Sequence, residues 1–272
     1  MLSIIILSYK DPAVLRLCLK SLSGSLPTDV DYEVIVVDNE TSLQTRNVVT
    51  EEFQNIFKHI RLVPLEHNEG YTRGVNEGLR VAQGEYILYS NHDVIFQPGS
   101  LDKMYQYLQN NPRVGLLGPK LLNFNGTEQP SSFRFYSPWT IICRRMPYIP
   151  FAKKVINRFL MRDVDLSETR SVDWISGAIF MTSRTAINKV GLLDEHLFHY
   201  FSDVDWARRF WENGYTVIHF TGAKIFHYHG QASRGRLGAL EFIYNRAAIW
   251  HIEDGLKYFA KYGFKTPTYS NL

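Results

Sequence analysis

The opening 110 residues alternate in a way that leaves few folds open. An apolar run at residues 3–8 (SIIILS) is followed by Val14, Leu15, Leu17, Leu19 and Leu22 at helical spacing, then by a run at 33–38, a helical segment near 43–57 and a run at 60–65. That order is β-α-β-α-β. A helix over 70–82 follows, then a fourth run at 85–90 that ends in Asn-His-Asp, and Pro98 opens a further helix to about residue 109. Runs that are apolar on both faces and separated by helices predict an α/β fold with a mostly parallel sheet covered on both sides. Ligands of such sheets sit outside the carboxyl ends of the strands, which points to residues 8–11, 38–40, 68–73 and 91–93.

Composition narrows the function classes. With 272 residues, 45% of them hydrophobic and a formal charge of +3, the chain has enough material for a large core and too little excess charge for a general nucleic-acid binder. At this length roughly 70–75% of the surface exposed by an unfolded chain can be buried, so no disulfide or structural metal is required. The two cysteines, Cys18 and Cys143, have no paired spacing, which suggests a reducing compartment, by default the cytoplasm. The starting run MLSIIILSYK is far shorter than the roughly 20 residues of a membrane span and reads as a buried strand.

Beyond residue 126 the alternation breaks. Residues 141–162 carry Arg144, Arg145, Lys153, Lys154, Arg158 and Arg162 among Ile, Phe, Met and Tyr, a pattern that suits either a lipid interface or a solvated surface helix. A strand at 175–182, a helix at 203–213, strands at 216–220 and 224–226, and a long helix from about 237 to 262 are expected. That last helix is expected to pack on the sheet domain or on a second subunit, as in a homodimer.

Three polar groupings compete for the open edge of the sheet: Asn91-His92-Asp93, Ser202-Asp203-Val204-Asp205-Trp206 and His227-Tyr228-His229. A carboxylate at a strand end can reach a divalent cation, though it is equally a turn former or helix cap. Asp203 and Asp205 both fall in a first helical turn, where one acid suffices for the helix dipole and the other can accept a proton from a hydroxyl. Asp38, closing IVVD, stands where α/β nucleotide binders present an acid to a base or ribose, or where a turn begins. The first strand–helix turn, SYKDPAV, has no G-x-G-x-x-G, and no P-loop pattern occurs. Gly70, Gly74 and Gly78 are spaced for close helix packing, with Arg73 beside them as a candidate phosphate contact.

The segments SIIILSYKDPAVLRLCLKSL, EVIVVDNETS, HNEGYTRGVNEGLRVAQGEYILYSNHDV, VGLLGPKLLNFNGTEQPSSFRF, VDWISGAIFMTSRTAINKVGLLDEHLFHYFSDVDWARRFWENGY and FHYHGQAS occur in this order. The ordered set resembles the family 2 inverting glycosyltransferases with a GT-A fold, most closely their rhamnosyltransferase-like branch. The resemblance implies that residues 1–235 form the transferase domain, with a nucleotide-sugar half at 1–120 and an acceptor half at 121–235, followed by a helical extension at 236–272. It implies that Ser8, Tyr9, Asp38, Asn68, Arg73, Asn91 and His92 serve the nucleotide-sugar pocket. Asp93 would be the metal-binding carboxylate of an N-x-D variant of the D-x-D motif, and His227 its partner toward Mg2+ or Mn2+. Asp203 matches the catalytic base and Asp205 the second acid of an E-D-x-D pattern, whose Glu is Ser202 here. Trp174, Ser176 and Gly177 match a segment that approaches donor sugar and acceptor; Arg134 and Trp206 are further candidates, and His229 stands where Gly is usual.

The implied reaction is direct displacement at an anomeric carbon. The donor is expected to be dTDP-rhamnose, or a UDP-linked hexose, galactofuranose or N-acetylhexosamine, and the acceptor a saccharide or polyprenyl-diphosphate-linked glycan of a bacterial surface polysaccharide, met at the inner membrane face. A non-catalytic sugar-binding protein on the same fold, favoured by Ser202 and Asn91, and a metal-dependent hydrolase using His227-x-His229 are the readings from other classes.

Overall fold

A computed structural model describes residues 1–228, 245–267 and 269. His229 and residues 237–244 of the expected long helix lie outside that set. The elements are β1 (Leu2–Ser8), α1 (Pro12–Ser23), β2 (Tyr32–Asn39), α2 (Leu43–Asn47), β3 (Ile60–Leu65), α3 (Gly70–Val81), β4 (Tyr86–Asn91), β5 (Val94–Ile95), α4 (Ser100–Asn110), β6 (Val114–Leu122), β7 (Glu128–Gln129), β8 (Ser132–Phe133), α5 (Pro138–Arg145), α6 (Ala152–Phe159), β9 (Arg170–Ser171), β10 (Trp174–Ile175), β11 (Ile179–Ser183), α7 (Arg184–Val190), α8 (Ser202–Glu212), β12 (Thr216–His227) and α9 (Arg246–Tyr262).

The main sheet runs β3-β2-β1-β4-β11-β6-β12-β5, with β7 on β6 and β9 on β12, while β10 and β8 form a separate pair. Strands β3, β2, β1 and β4 are parallel, as the repeated strand–helix pattern predicts, and β11 runs against β4. Alternate residues of β1 enter opposite cores. Ile5 and Leu7 pack with α3 and α8, whereas Leu2, Ile4 and Ile6 pack with α1 and α4. Among the described residues no helix is long and apolar enough to cross a membrane. Cys18 and Cys143 are buried and unbridged.

Several elements differ from the sequence reading. The helix expected over 43–57 is α-helical only to Asn47, then widens into a π-helical turn at Val48–Glu52 as the β-branched run Val48-Val49-Thr50 crowds the backbone. The expected strand at 175–182 is two strands in different sheets. Gly177 between them gives its N–H to Asp203 and its carbonyl to the Tyr71 hydroxyl instead of to a neighbouring strand. The strands at 216–220 and 224–226 are one strand, β12, whose register shifts between Phe220 and Lys224. Strand β6 carries no clear strand signal in the sequence because Gly118 and Pro119 punctuate its apolar run. Pro119 faces Phe220, at the edge of that register shift, where the ladder is already interrupted. The basic stretch 141–162 is not one helix but the pair α5 and α6.

Helix α3 lies unusually close to β1 because its facing positions have no side chain. A Cβ on Gly74 would stand 2.6 Å from Leu7 Cδ1, and one on Gly78 would stand 2.4 Å from Ile5 Cγ2 and 3.2 Å from Val37 Cγ2. Gly78→Ala should therefore lower the urea midpoint. Overpacking against two buried β-branched residues costs about 1–3 kcal/mol and outweighs the roughly 1 kcal/mol that Ala gains over Gly inside a helix. A midpoint equal to or above that of the parent chain would refute this packing account.

Candidate active site

The turn after β4 meets the end of β12. Antiparallel pairing sets His227 opposite Val94, and the Tyr228 N–H donates to the Asp93 carbonyl at 2.9 Å. His227 Nε2 consequently stands 3.5 Å from Asp93 Oδ1. The ring's other nitrogen, Nδ1, is 2.7 Å from Gln129 Oε1. Gln129 uses its amide nitrogen toward Asn123 Oδ1, at 2.9 Å, and the His227 carbonyl, at 3.4 Å, so Oε1 is the acceptor and Nδ1 carries the proton. In the neutral ring the unprotonated Nε2 then faces the carboxylate. Asp93 Oδ1 is buried and has no hydrogen-bond partner among the described residues. A carboxylate oxygen without a donor, beside an imidazole oriented through its far nitrogen, fits a divalent cation. Among the described residues no group of three or more His, Cys, Asp or Glu converges in this way.

Asp203 sits in the first turn of α8. Its Oδ2 accepts from Gly177 N–H at 3.0 Å and its Oδ1 from Val204 N–H at 2.9 Å. Burial pushes its carboxyl up to about 6, against the lowering effect of those backbone donors. The same backbone junction reaches the first cluster, because Asn91 N–H donates to the Ala178 carbonyl at 2.8 Å. Tyr71 donates to the Gly177 carbonyl and meets Tyr89 edge-on, and Tyr89 donates to Asn91 Oδ1 at 2.6 Å. Burial, then Tyr71, Asp93 and Asp203 hold the Tyr89 phenol well above its usual value, so both carboxylates act on one buried ring. Tyr71, Tyr89 and Gln129 were not singled out in sequence, where their types and spacing read as core or loop.

At the carboxyl ends of β1 and β2, Ser8 and Asp38 are register neighbours and both fully buried. Asp38 Oδ2 accepts from Ser42 N–H at 3.2 Å, while Ser8 Oγ and Asp38 Oδ1 have no partner among the described residues. Burial raises the Asp38 carboxyl above its ordinary value. His92 Nδ1 is 3.1 Å from the Leu7 carbonyl, and Tyr9 is exposed beside them. Asn68 braces this edge through Asn39 Nδ2 and Gly70 N–H. Arg73 is exposed and already paired with Glu69 at 2.8 Å and Glu195 at 3.3 Å.

Several expected site residues make contacts within the scaffold. Asp205 is fully enclosed: Arg209 takes Oδ2 at 2.8 Å, and Lys261 and the Tyr262 hydroxyl take Oδ1 at 2.7 Å each. Trp206 is a core ring whose Nε1 donates to the Gly191 carbonyl at 2.9 Å. Trp174 is buried on Phe133, its Nε1 spent on the Arg134 carbonyl. Arg134 Nη1 donates to both oxygens of Asp163, at 2.6 and 2.8 Å, and to the Arg158 carbonyl at 2.9 Å. Ser202 is buried against the Thr72 hydroxyl, and Ser176 Oγ accepts from Ala178 N–H. The loop before α8 is held by a residue that sequence spacing did not reveal. Buried Asp254 of α9 accepts from the N–H groups of Phe198, His199 and Tyr200 at 3.0, 2.9 and 2.9 Å.

The fold is shared with GalNAc-T7 in its structure with UDP, GalNAc and Mn2+ (TM-score 0.67, 14% identity, 96% of this chain and 51% of that one). It is also shared with the mannosyltransferase PcManGT from Pyrobaculum calidifontis in complex with GDP-Man and Mn2+ (TM-score 0.64, 18% identity, 98% of this chain and 65% of that one). The architecture is that of the GT-A glycosyltransferases, and the chain spans about half to two thirds of those solved chains. The family model for glycosyl transferase family 2 matches residues 3–191, and the chain belongs to that family. An N-acetylglucosaminyl-diphospho-decaprenol L-rhamnosyltransferase of Mycobacterium tuberculosis is 26% identical over 86% of this chain and 78% of its own. A poly(ribitol-phosphate) beta-glucosyltransferase of Bacillus spizizenii is 30% identical over 48% of this chain and 20% of its own.

Replacing Asp254 by Ala leaves three backbone donors without their carboxylate. At about 1 kcal/mol or more for each, stability in urea should fall by about 3 kcal/mol, and turnover should fall with it because the freed loop leads directly into Asp203. Asp254→Asn, which keeps one acceptor, should lie between the two; wild-type stability in Asp254→Ala would contradict the bracing role.

Proposed function

We propose that this glycosyltransferase moves rhamnose from dTDP-rhamnose, with inversion, onto a saccharide carried on a polyprenyl diphosphate at the cytoplasmic face of a membrane. The observation that carries the reading is Asp203: a carboxylate shifted to about 6, held by two backbone N–H groups and joined through Gly177–Ala178 to the strand end that bears Asp93. Donor and acceptor identity are supported by the mycobacterial relative, whose likeness extends over 86% of the chain. On this reading residues 1–120 bind the donor and residues 121–235 the acceptor, while Asp254 of α9 braces the loop before α8.

On this reading Ser8 and Asp38, register neighbours at the carboxyl ends of β1 and β2, mark where base or ribose is met. Asp93 and His227 would hold Mg2+ or Mn2+, which when bound neutralises charge developing on the departing diphosphate. Asp203 removes the proton of the acceptor hydroxyl as its oxygen bonds to the anomeric carbon; the bond from that carbon to the diphosphate oxygen breaks, and its electron pair leaves with the nucleoside diphosphate. A single displacement inverts the configuration. Asp205, locked by Arg209, Lys261 and Tyr262, keeps the first turn of α8 in place and takes no proton.

Asp203 must be ionised to act. With its carboxyl raised to about 6, kcat/KM should be flat above neutrality and fall about tenfold per pH unit below about 6, where an ordinary aspartate would hold activity to about 4. Asp203→Asn should lose roughly 10²–10⁴-fold in turnover with donor affinity largely kept. Near-normal turnover in that variant would sink the assignment of Asp203 as the base, whereas a parent chain that turns over no donor would favour a non-catalytic binding protein. In a thermal-shift panel, dTDP-rhamnose with Mg2+ or Mn2+ should raise Tm most, and His227→Ala should lose the metal-dependent part. A larger shift from a UDP-sugar would replace the donor while keeping the mechanism.

A further inference from the structure

Helices α5 and α6 and the turn between them form a surface of one-sided charge. Residues 138–162 contain six basic residues and no acidic one, while the rest of the chain carries a net charge of −3. Arg144 turns inward to the Tyr136 hydroxyl and lies over the Tyr136 and Phe159 rings, at 5.7 and 5.1 Å. Lys153, Lys154, Arg158 and Arg162 face solvent. Beside them stand exposed apolar side chains: Trp139 at 58%, Ile142 at 40%, Tyr148 at 75% and Phe151 at 48%. Trp139 and Phe151 meet edge-on with centroids 5.8 Å apart, so the two helices present one patch. A surface hollow of about 520 Å3 runs along α6, lined by Lys153, Lys154 and Arg158 together with Asp163, whose charge Arg134 already neutralises.

Singly exposed apolar residues need no explanation. Four large ones beside four outward cations, with no acid in the segment, match the chemistry of a lipid headgroup layer, where aromatic rings sit at the polar boundary and cations meet phosphates. The inner side of the same helices leads to the acceptor end of the site. Tyr136 packs on Trp174 at 5.7 Å and on Phe201 at 4.7 Å, and Phe201 stands two residues before Asp203.

We propose that the α5–α6 face is the docking surface for an anionic phospholipid bilayer, with Trp139, Ile142, Tyr148 and Phe151 entering the headgroup region and Lys153, Lys154, Arg158 and Arg162 lying over lipid phosphates. The proposal rests on the reading of a lipid-linked acceptor, which it deepens by naming the surface that meets the membrane. It is tested without donor or acceptor, so it can fail while the donor and pH experiments succeed, and the reverse.

The full chain is sedimented with vesicles of phosphatidylglycerol and phosphatidylethanolamine, and separately with vesicles of phosphatidylcholine alone. The first should bind the protein, the second weakly, and added salt should release it. Lys153→Glu combined with Lys154→Glu should weaken binding at least about tenfold, since each cation near an anionic surface contributes roughly fivefold in affinity. Trp139→Ser combined with Phe151→Ser should weaken it independently of salt. All four side chains are exposed, so melting should be unchanged, and two independent variant pairs guard against misfolding in either one. Equal binding by parent and both variants, no binding to the anionic vesicles, or capture by soluble polyphosphate with none by vesicles would each overturn the proposal.

Discussion

Taking the Asp203 carboxylate out of water has a free-energy cost that something in the fold must offset, and much of the architecture around it can be traced to how that is done. One compensating donor comes from its own helix, at Val204. The other must come from a different part of the chain, and Gly177 supplies it. A backbone N–H is available there only because residues 176–178 leave one sheet and have not yet entered the next. Only glycine fits, since a Cβ would lie 2.5 Å from the Tyr71 hydroxyl and 3.2 Å from Asp203 Oδ2. The interruption between β10 and β11 is therefore the feature that gives the Asp203 carboxylate its second donor.

Three aspartates lie close along this corner and meet three fates. Asp203 keeps only neutral backbone donors, so burial dominates and its basicity rises. Asp205, two residues on, is met by an arginine, a lysine and a phenol, which occupy both of its oxygens. Asp254 gathers three N–H groups of the preceding loop, so that α9 fixes the approach to α8. The difference lies in the partners that tertiary packing delivers, since the side chain is the same in each case. Helix α9, expected from sequence to cover the sheet or a second subunit, thus also fixes the loop that leads into Asp203.

The parallel strands β1 to β4 and helices α1, α3 and α4 were legible because their periodicities are long and uninterrupted, and the glycines of α3 announced its close packing on β1. Strand β6 was hidden by Gly118 and Pro119, whose usual meaning is a turn and whose tolerance here depends on the shifted register of β12. The positions of Asp93, Asp203, Ser8, Asp38 and His227 at strand ends and in the first turn of α8 were legible from the strand pattern and motif order. The internal partners of Trp174, Trp206 and Arg134 were not legible, because an indole or guanidinium looks the same in sequence whichever carbonyl or carboxylate it meets. Gln129 and Asp254 gave no signal, since each acts on a residue about 55 to 100 positions away.

By itself the sequence determined the layered α/β architecture, the sheet edge at which ligands gather and the set of acids and histidines able to do chemistry there, because local periodicity and strand termini are properties of neighbouring residues. Tertiary structure alone decided which aspartate is basic, which is locked and which braces a loop, and that Asp93 and His227 face each other. Those outcomes depend on desolvation and on donors brought in from distant segments, and neither is encoded in the spacing around the residue they act upon.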